Sequence, residues 1–222
     1  MMLQNPKVTD LKAIPFFAKL ETSVLEALSR CSYIKNFSAK EILYYEKDED
    51  DYLYFIIEGG IKFYKVDRFD NEVFLYHLSS NRLVFDTAKF FDEHHFVCYA
   101  NAEFTVDSKL LCLESRAFRK IMNSTPSLMK RVLQESFEAI SRLQCIISRD
   151  VVFDGIAKVA HMINSDLEHF NRLKKHEIAY MLHIQPETLS RILKKLERNK
   201  IILIEKNCVI VQDYEALRKI YE

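Results

Sequence analysis

The sequence predicts an α+β fold in three successive parts: a β-roll with a leading helix over residues 1–114, a short and then a long helix over 115–150, and a helical module closed by a strand hairpin over 151–222. Three observations predict it. Between Tyr33 and Leu113, short runs of aromatic and branched residues alternate with polar turns, the texture of an all-β barrel or jelly roll. From Pro126 to about Arg149, apolar residues recur in steps of four and three. Beyond residue 151 the apolar spacing is helical until two short strands near the C-terminus. With 222 residues and 49% hydrophobic composition, the chain has material for one large or two small packed domains, and wholesale disorder is excluded.

In the first part, residues 9–30 carry a helical pattern with Leu20, Val24, Leu25 and Leu28 on one face, capped by Thr22 or Ser23. The strand runs are Ile42–Tyr45, Tyr52–Ile57, Ile61–Val66, Val73–Leu78, Leu83–Phe85, Phe96–Ala100, Glu103–Val106 and Leu110–Leu113. Gly59–Gly60 sits between two of them, where a tight connection needs positive φ. The acidic run Glu46–Asp51 reads as a solvated turn, because EF-hand spacing is absent.

The second part begins with a short helix, Ser115–Met122. Pro126 then suits the first turn of the long helix, with Ser124 or Thr125 as cap. Met129, Leu133, Ser136, Ile140, Leu143 and Ile147 form the seam expected of a two-helix dimer interface. Leu128, Val132 and Phe137 widen the apolar surface to a second side that can pack on the roll. The alternative is a helix buried wholly within its own chain.

In the third part, Lys174–Leu182 forms a short helix with Ile178, Ala179 and Leu182 facing inward. His183–Gln185 is a three-residue turn, and Pro186 opens a second helix. Leu189, Ile192, Leu193 and Leu196 make its buried stripe, leaving Glu187, Ser190, Arg191 and Lys194 on the opposite face. Two short helices with a tight turn are a helix-turn-helix, whose second helix enters the DNA major groove by its N-terminal end. Ile201–Glu205 and Cys208–Gln212 read as the hairpin wing. Residues 171–200 hold eight basic and three acidic residues, a local excess of +5 in a chain of zero net charge. Coinciding with the buried stripe, this excess points to phosphate contact by Lys174, Lys175, His176, Thr188, Lys194 and Lys206. Arg191 offers two parallel donors that match guanine O6 and N7, and Glu187 accepts from the cytosine amino group. At i and i+4 the two project together; an intrahelical ion pair is the alternative.

Composition excludes other classes. Only three glycines occur (Gly59, Gly60, Gly155), and there is neither a G-x-G-x-x-G nor a P-loop. Neutral net charge argues against coating nucleic acid or membrane through bulk charge. The N-terminus lacks signal-peptide character, and no stretch approaches a membrane span. Five scattered cysteines without metal spacing read as free thiols in a reducing cytoplasm, Cys112 and Cys145 as core fillers. No nucleophile–base pairing or metal spacing supports an enzyme.

The order β-roll, long helix, winged helix-turn-helix resembles the Crp/Fnr family of bacterial transcription regulators over almost the whole chain. The segment HEIAYMLHIQPETLSRILKKLERNKII is similar to the family's helix-turn-helix, and its E-T-L-S-R takes the form of the Fnr branch. DDYLYFIIEGGIKFYK is similar to the roll strands around a glycine turn. The resemblance implies a homodimer on a palindrome of TTGAT-like half-sites, Glu187 and Arg191 reading the G·C pair and Ser190 a neighbouring thymine. RNA polymerase is implied as a partner if the protein activates. Family members that bind cyclic nucleotide use an F-G-E-L segment and a downstream arginine. This chain has Phe85-Asp86-Thr87-Ala88 and Phe96-Val97-Cys98-Tyr99-Ala100, with no cation for a buried phosphate, so cyclic-nucleotide control is not expected. An N-terminal cysteine cluster for iron–sulfur sensing is also missing. The signal stays open between haem, with His77, His94, His95 or Cys98 as axial ligand, a small hydrophobic or thiol ligand, and a roll that binds nothing. Relatives place glycine at turns where this chain has Lys47, Asn81, His183 and Asn207. The hinge is expected around Arg149–Phe153.

Overall fold

A computed structural model describes residues 5–84, 98–206 and 208–222. The chain divides into two compact units, residues 1–141 and 142–222.

In the first unit, helices α1 (Val8–Ala13) and α2 (Thr22–Arg30) precede eight strands: β1 (Ser32–Phe37), β2 (Ile42–Tyr44), β3 (Tyr52–Glu58), β4 (Gly60–Val66), β5 (Glu72–Ser79), β6 (Arg82–Val84), β7 (Asn101–Phe104) and β8 (Ser108–Glu114). They form two antiparallel sheets in the orders β1-β8-β3-β6 and β2-β7-β4-β5. Strand β3 explains why Tyr52–Ile57 is nearly unbroken in its hydrophobicity. Tyr54 and Ile56 point between the sheets, where they join Phe37, Phe63, Phe104 and Cys112. Leu53 and Phe55 point the other way, onto Leu11, Phe17, Leu25 and Leu28 of the N-terminal helical segment. A strand covered on both faces has no polar side to display. Phe37 stacks on Phe104 at 4.4 Å and Phe63 on Tyr76 at 4.6 Å between ring centroids.

The tight β3–β4 connection requires its glycine. Gly59 has φ +98°, and a Cβ there would come 2.0 Å from Ser108 Oγ. The same hydroxyl accepts from Gly60 N and donates to the Val106 carbonyl. Three of the turn positions where the family resemblance leads one to expect glycine adopt left-handed backbone: Lys47 (φ 70°), Asn81 (φ 62°) and His183 (φ 53°). Asn207 lies outside the described residues; its neighbour Lys206 is left-handed at φ 48°.

After α3 (Ser115–Ser124) comes α4 (Pro126–Val152). Ser124 does not leave its own helix: its hydroxyl donates to Lys120 and Ile121 carbonyls. Leu128 and Val132 of α4 are buried in the helical side of the roll core. Arg131 donates to the carbonyls of Pro15 and Phe16, and Arg82 of β6 pairs with Glu135 and Glu138. Phe137 does not follow Val132 inward. It is 60% exposed, since it stands four residues after Leu133 and three before Ile140 and turns with them.

The second unit holds the end of α4, then α5 (Gly155–Ser165), α6 (Leu167–Arg172), α7 (Lys175–Met181), α8 (Pro186–Arg198), the hairpin β9 (Ile202–Glu205) and β10 (Cys208–Val211), and α9 (Tyr214–Arg218). Its core gathers Val159, Ala160 and Ile163 of α5, Ile178 and Ala179 of α7, the α8 stripe, and Ile202 and Val209 of the hairpin. The break between the two helices is shorter than the stretch Arg149–Phe153 expected for a hinge. Helix α4 runs on through Val152, and Asp154 caps α5 by accepting from Ala157 N at 2.9 Å. Cys112 is buried as expected, but Cys145 is exposed: it stands in a stretch of α4, residues 141–152, in which no residue is buried.

Candidate nucleic-acid interface

Helix α8 is built so that one side is fixed and the other is free. Pro186 occupies its first turn, where a missing N–H costs nothing. Leu189 and Leu196 are fully buried, and Ile192 and Leu193 nearly so. Anchoring every third or fourth residue fixes the rotation of the helix about its axis. It therefore decides which side chains face out. Pro186, Glu187, Ser190, Arg191, Lys194, Lys195 and Arg198 line one continuous open surface along that outer side.

Glu187 and Arg191 are both exposed. Among the described residues no hydrogen bond or ion pair engages either side chain, so the intrahelical pair is not formed. Both retain their full hydrogen-bonding capacity toward an external partner. Glu187 also stands in the first turn, where the helix dipole favours a carboxylate. Lys195 and Arg198 belong to the basic excess of 171–200 without standing among the expected site residues. Their signal was present as spacing, four and seven residues after Arg191, and the structure puts them on the same surface.

The remaining basic positions are distributed. Lys174, Lys175 and His176 are exposed at the start of α7, where Glu177 Oε2 accepts from Lys174 N at 2.7 Å. Lys206 is exposed at the wing turn, and Thr188 is half-buried. None of these lines the open surface of α8. The wing itself is firmly held. Asn171 of α6 accepts from Val209 N at 2.8 Å and donates to the Val209 carbonyl at 2.9 Å, and Glu197 of α8 accepts from Ile204 N at 3.2 Å. Asn171 thus pairs with the outer strand as a backbone would, a role without any signature in the sequence.

Along α4, Met129, Leu133, Phe137, Ile140, Leu143 and Ile147 are all exposed large apolar residues. Ser136 is half-buried and donates to the Val132 carbonyl at 2.9 Å. Scattered exposed apolar residues are ordinary, whereas the six of α4 recur at helical period and form one stripe.

For an effector, the roll offers less. His94 and His95, and the segment 85–97 that would carry most of a nucleotide site, lie outside the described residues. His77 is in β5 with Nε2 3.1 Å from Thr105 Oγ1, and Cys98 is buried between the sheets. Among the described residues, no group of three or more His, Cys, Asp or Glu is arranged to hold a metal ion. No helix among them is long and apolar enough to cross a membrane.

Comparison with known proteins agrees with this architecture. Residues 34–125 match the cyclic nucleotide-binding domain family, and residues 157–220 match the Crp-like helix-turn-helix domain family. No curated protein sequence matches the chain. Among solved structures, a chain described as a Crp/Fnr-family transcriptional regulator from Eubacterium rectale superposes with TM-score 0.70 at 14% identity, covering 93% of this chain and 97% of its own. A CooA mutant from Carboxydothermus hydrogenoformans gives TM-score 0.73 at 16% identity, covering 100% of this chain and 98% of its own. FixK2 from Bradyrhizobium japonicum gives 0.69 at 12% identity, covering 86% of this chain and 98% of its own.

Proposed function

The chain belongs to the Crp/Fnr family of transcription regulators, a family of DNA-binding proteins rather than enzymes, and on that premise we propose that it is a homodimer reading a palindrome of TTGAT-like half-sites. The observation that carries the reading is the outer side of α8. Glu187, Ser190, Arg191 and Lys194 share one open surface, with the base-reading pair unengaged among the described residues.

Glu187 and Arg191 read the G·C pair, and Ser190 contacts the neighbouring thymine. Lys174, Lys175, His176, Thr188, Lys194 and Lys206 hold the phosphates, which fixes register without carrying sequence information. Dimerisation through Met129, Leu133, Ser136, Ile140, Leu143 and Ile147, with Phe137 added to the seam, sets two reading heads about one helical turn apart. Residues 1–114 act as the sensor-like domain, 115–150 as the dimerisation segment and 151–222 as the reading head, in the cytoplasm. RNA polymerase is a further partner if the regulator activates.

Cyclic nucleotide is not the effector in this reading. The family pattern's glutamate and arginine are absent from 85–88 and 96–100, and a buried phosphate without a cation is heavily penalised. The test is binding of the purified protein, with no ligand added, to a TTGAT-N4-ATCAA duplex in competition with a TGTGA-type duplex. Preference for the first supports the assignment, and equal affinity for both overturns it. The second reading, a haem-gated sensor, expects a Soret band when haem is added.

A further inference from the structure

Asp150, in the last turn of α4, collects two cationic side chains and a histidine. Its Oδ1 lies 3.0 Å from Arg149 Nε and 3.9 Å from Lys158 Nζ of α5, and its Oδ2 lies 3.9 Å from His183 Nε2. His183 is the left-handed pivot between α7 and α8. Its N–H donates to the Tyr180 carbonyl at 3.2 Å, and the next residue, Ile184, donates to Ala179 at 3.0 Å. Two residues later Pro186 starts the recognition helix. One carboxylate at the end of the long helix thus reaches the turn from which the reading surface projects.

We propose that Asp150 is a positioning residue for DNA reading: its carboxylate seats the His183 turn against the last turn of the long helix, and acid loosens that seat by charging His183. The proposal rests on the DNA-binding reading above. The groups facing His183 are Asp150 and Arg149 from α4 and Lys158 from α5. Burial holds the imidazole below its ordinary value; Asp150 opposes this, and Lys158 and Arg149 add to it. The neutral ring is therefore the form the seat prefers. Its contribution is complete above about pH 6.5 and is lost as pH falls below that value, because the unseated, hydrated ring binds the proton more tightly. One proton linked in this way changes affinity by up to about tenfold per pH unit. Without Asp150 its carboxylate is lost from the node, and Arg149 and Lys158 face the His183 ring with nothing from that position to offset them.

The experiment uses the full-length protein. The His183 ring is titrated by NMR without DNA in wild type and Asp150→Asn, its resonance assigned by its loss in His183→Asn. Duplex affinity is then measured by fluorescence anisotropy at pH 7.5 and 5.5 in constant salt. Asparagine tolerates the left-handed turn, so His183→Asn removes the titration while keeping the backbone. We expect a His183 midpoint below 6.5 that falls further in Asp150→Asn. We also expect severalfold weaker binding by Asp150→Asn at pH 7.5, and an acid loss several times larger in wild type than in His183→Asn. Identical His183 titrations in wild type and Asp150→Asn overturn the seat. An equal acid loss in wild type and His183→Asn overturns the pH response. If no variant binds any duplex while the NMR difference persists, the positioning role falls with the DNA reading and only the Asp150–His183 pairing stands.

Discussion

Truncation of Arg191 to alanine separates DNA reading from folding more cleanly than any other substitution on α8. The Arg191 side chain is exposed and makes no hydrogen bond or ion pair among the described residues, while Leu189, Ile192, Leu193 and Leu196 anchor the opposite side. Arginine and alanine are both good helix formers, so stability should change by no more than about 0.5 kcal/mol. The loss should appear in binding. A bidentate arginine–guanine contact carries about 1–3 kcal/mol of discrimination. The proposed symmetric dimer loses it at both half-sites, about 2–6 kcal/mol in all, which raises Kd by about thirtyfold to about twenty-thousandfold. The assay is anisotropy at fixed salt on two duplexes, one with the half-site guanine intact and one with that base pair changed. Wild type should lose most of its advantage on the altered duplex, and Arg191→Ala should bind both alike. If Arg191→Ala weakens both duplexes by the same factor, Arg191 is a phosphate contact and the direct-readout argument is wrong.

Lys194→Ala should weaken all duplexes nearly uniformly and reduce the slope of log affinity against log salt by about 1. Ile140→Lys should turn the dimer into a monomer in sedimentation, because a charge placed at the centre of the exposed α4 stripe must be desolvated in both copies; an unchanged mass would exclude that stripe as the interface. Gly59→Ala should lower Tm by several degrees, since the new methyl meets Ser108 at 2.0 Å on a left-handed backbone; an unshifted Tm would contradict that geometry. In a native thiol titration at pH 8, Cys145 and Cys208 should react first, being exposed, and Cys112 only on unfolding. Burial pushes Cys112 up to about 12 and Cys31 up to about 11, leaving both as unreactive thiols.

Particular elements show what sequence reasoning reached. The α8 stripe was legible because a short helix on one core must repeat its apolar residues at three and four, and each such residue is buried where the spacing put it. The exposed apolar run on α4 is legible for the same reason, although Phe137 lies on that run and not on the side that packs on the roll. Its distances from Leu133 and Ile140 already place it with them; Val132, one position from Leu133, is the residue that turns inward. Cys145 reads as a core filler because its neighbours are apolar, but those neighbours, Leu143 and Ile147, are themselves exposed: apolar sequence shows a surface and not what covers it.

By itself, the sequence determined the order of the parts, the face of α8 that is free, and the turns that need left-handed backbone. These are local matters: periodicity and steric tolerance act between residues a few positions apart. Only the tertiary structure decided that Asn171 holds the wing, that Arg131 and Arg82 fix the first half of α4 on the roll, and that Asp150 meets Lys158 and His183. Those contacts join residues up to 116 positions apart, with no pattern to announce them. They exist because packing within each unit brings polar side chains together, and a polar group removed from water must find a partner there.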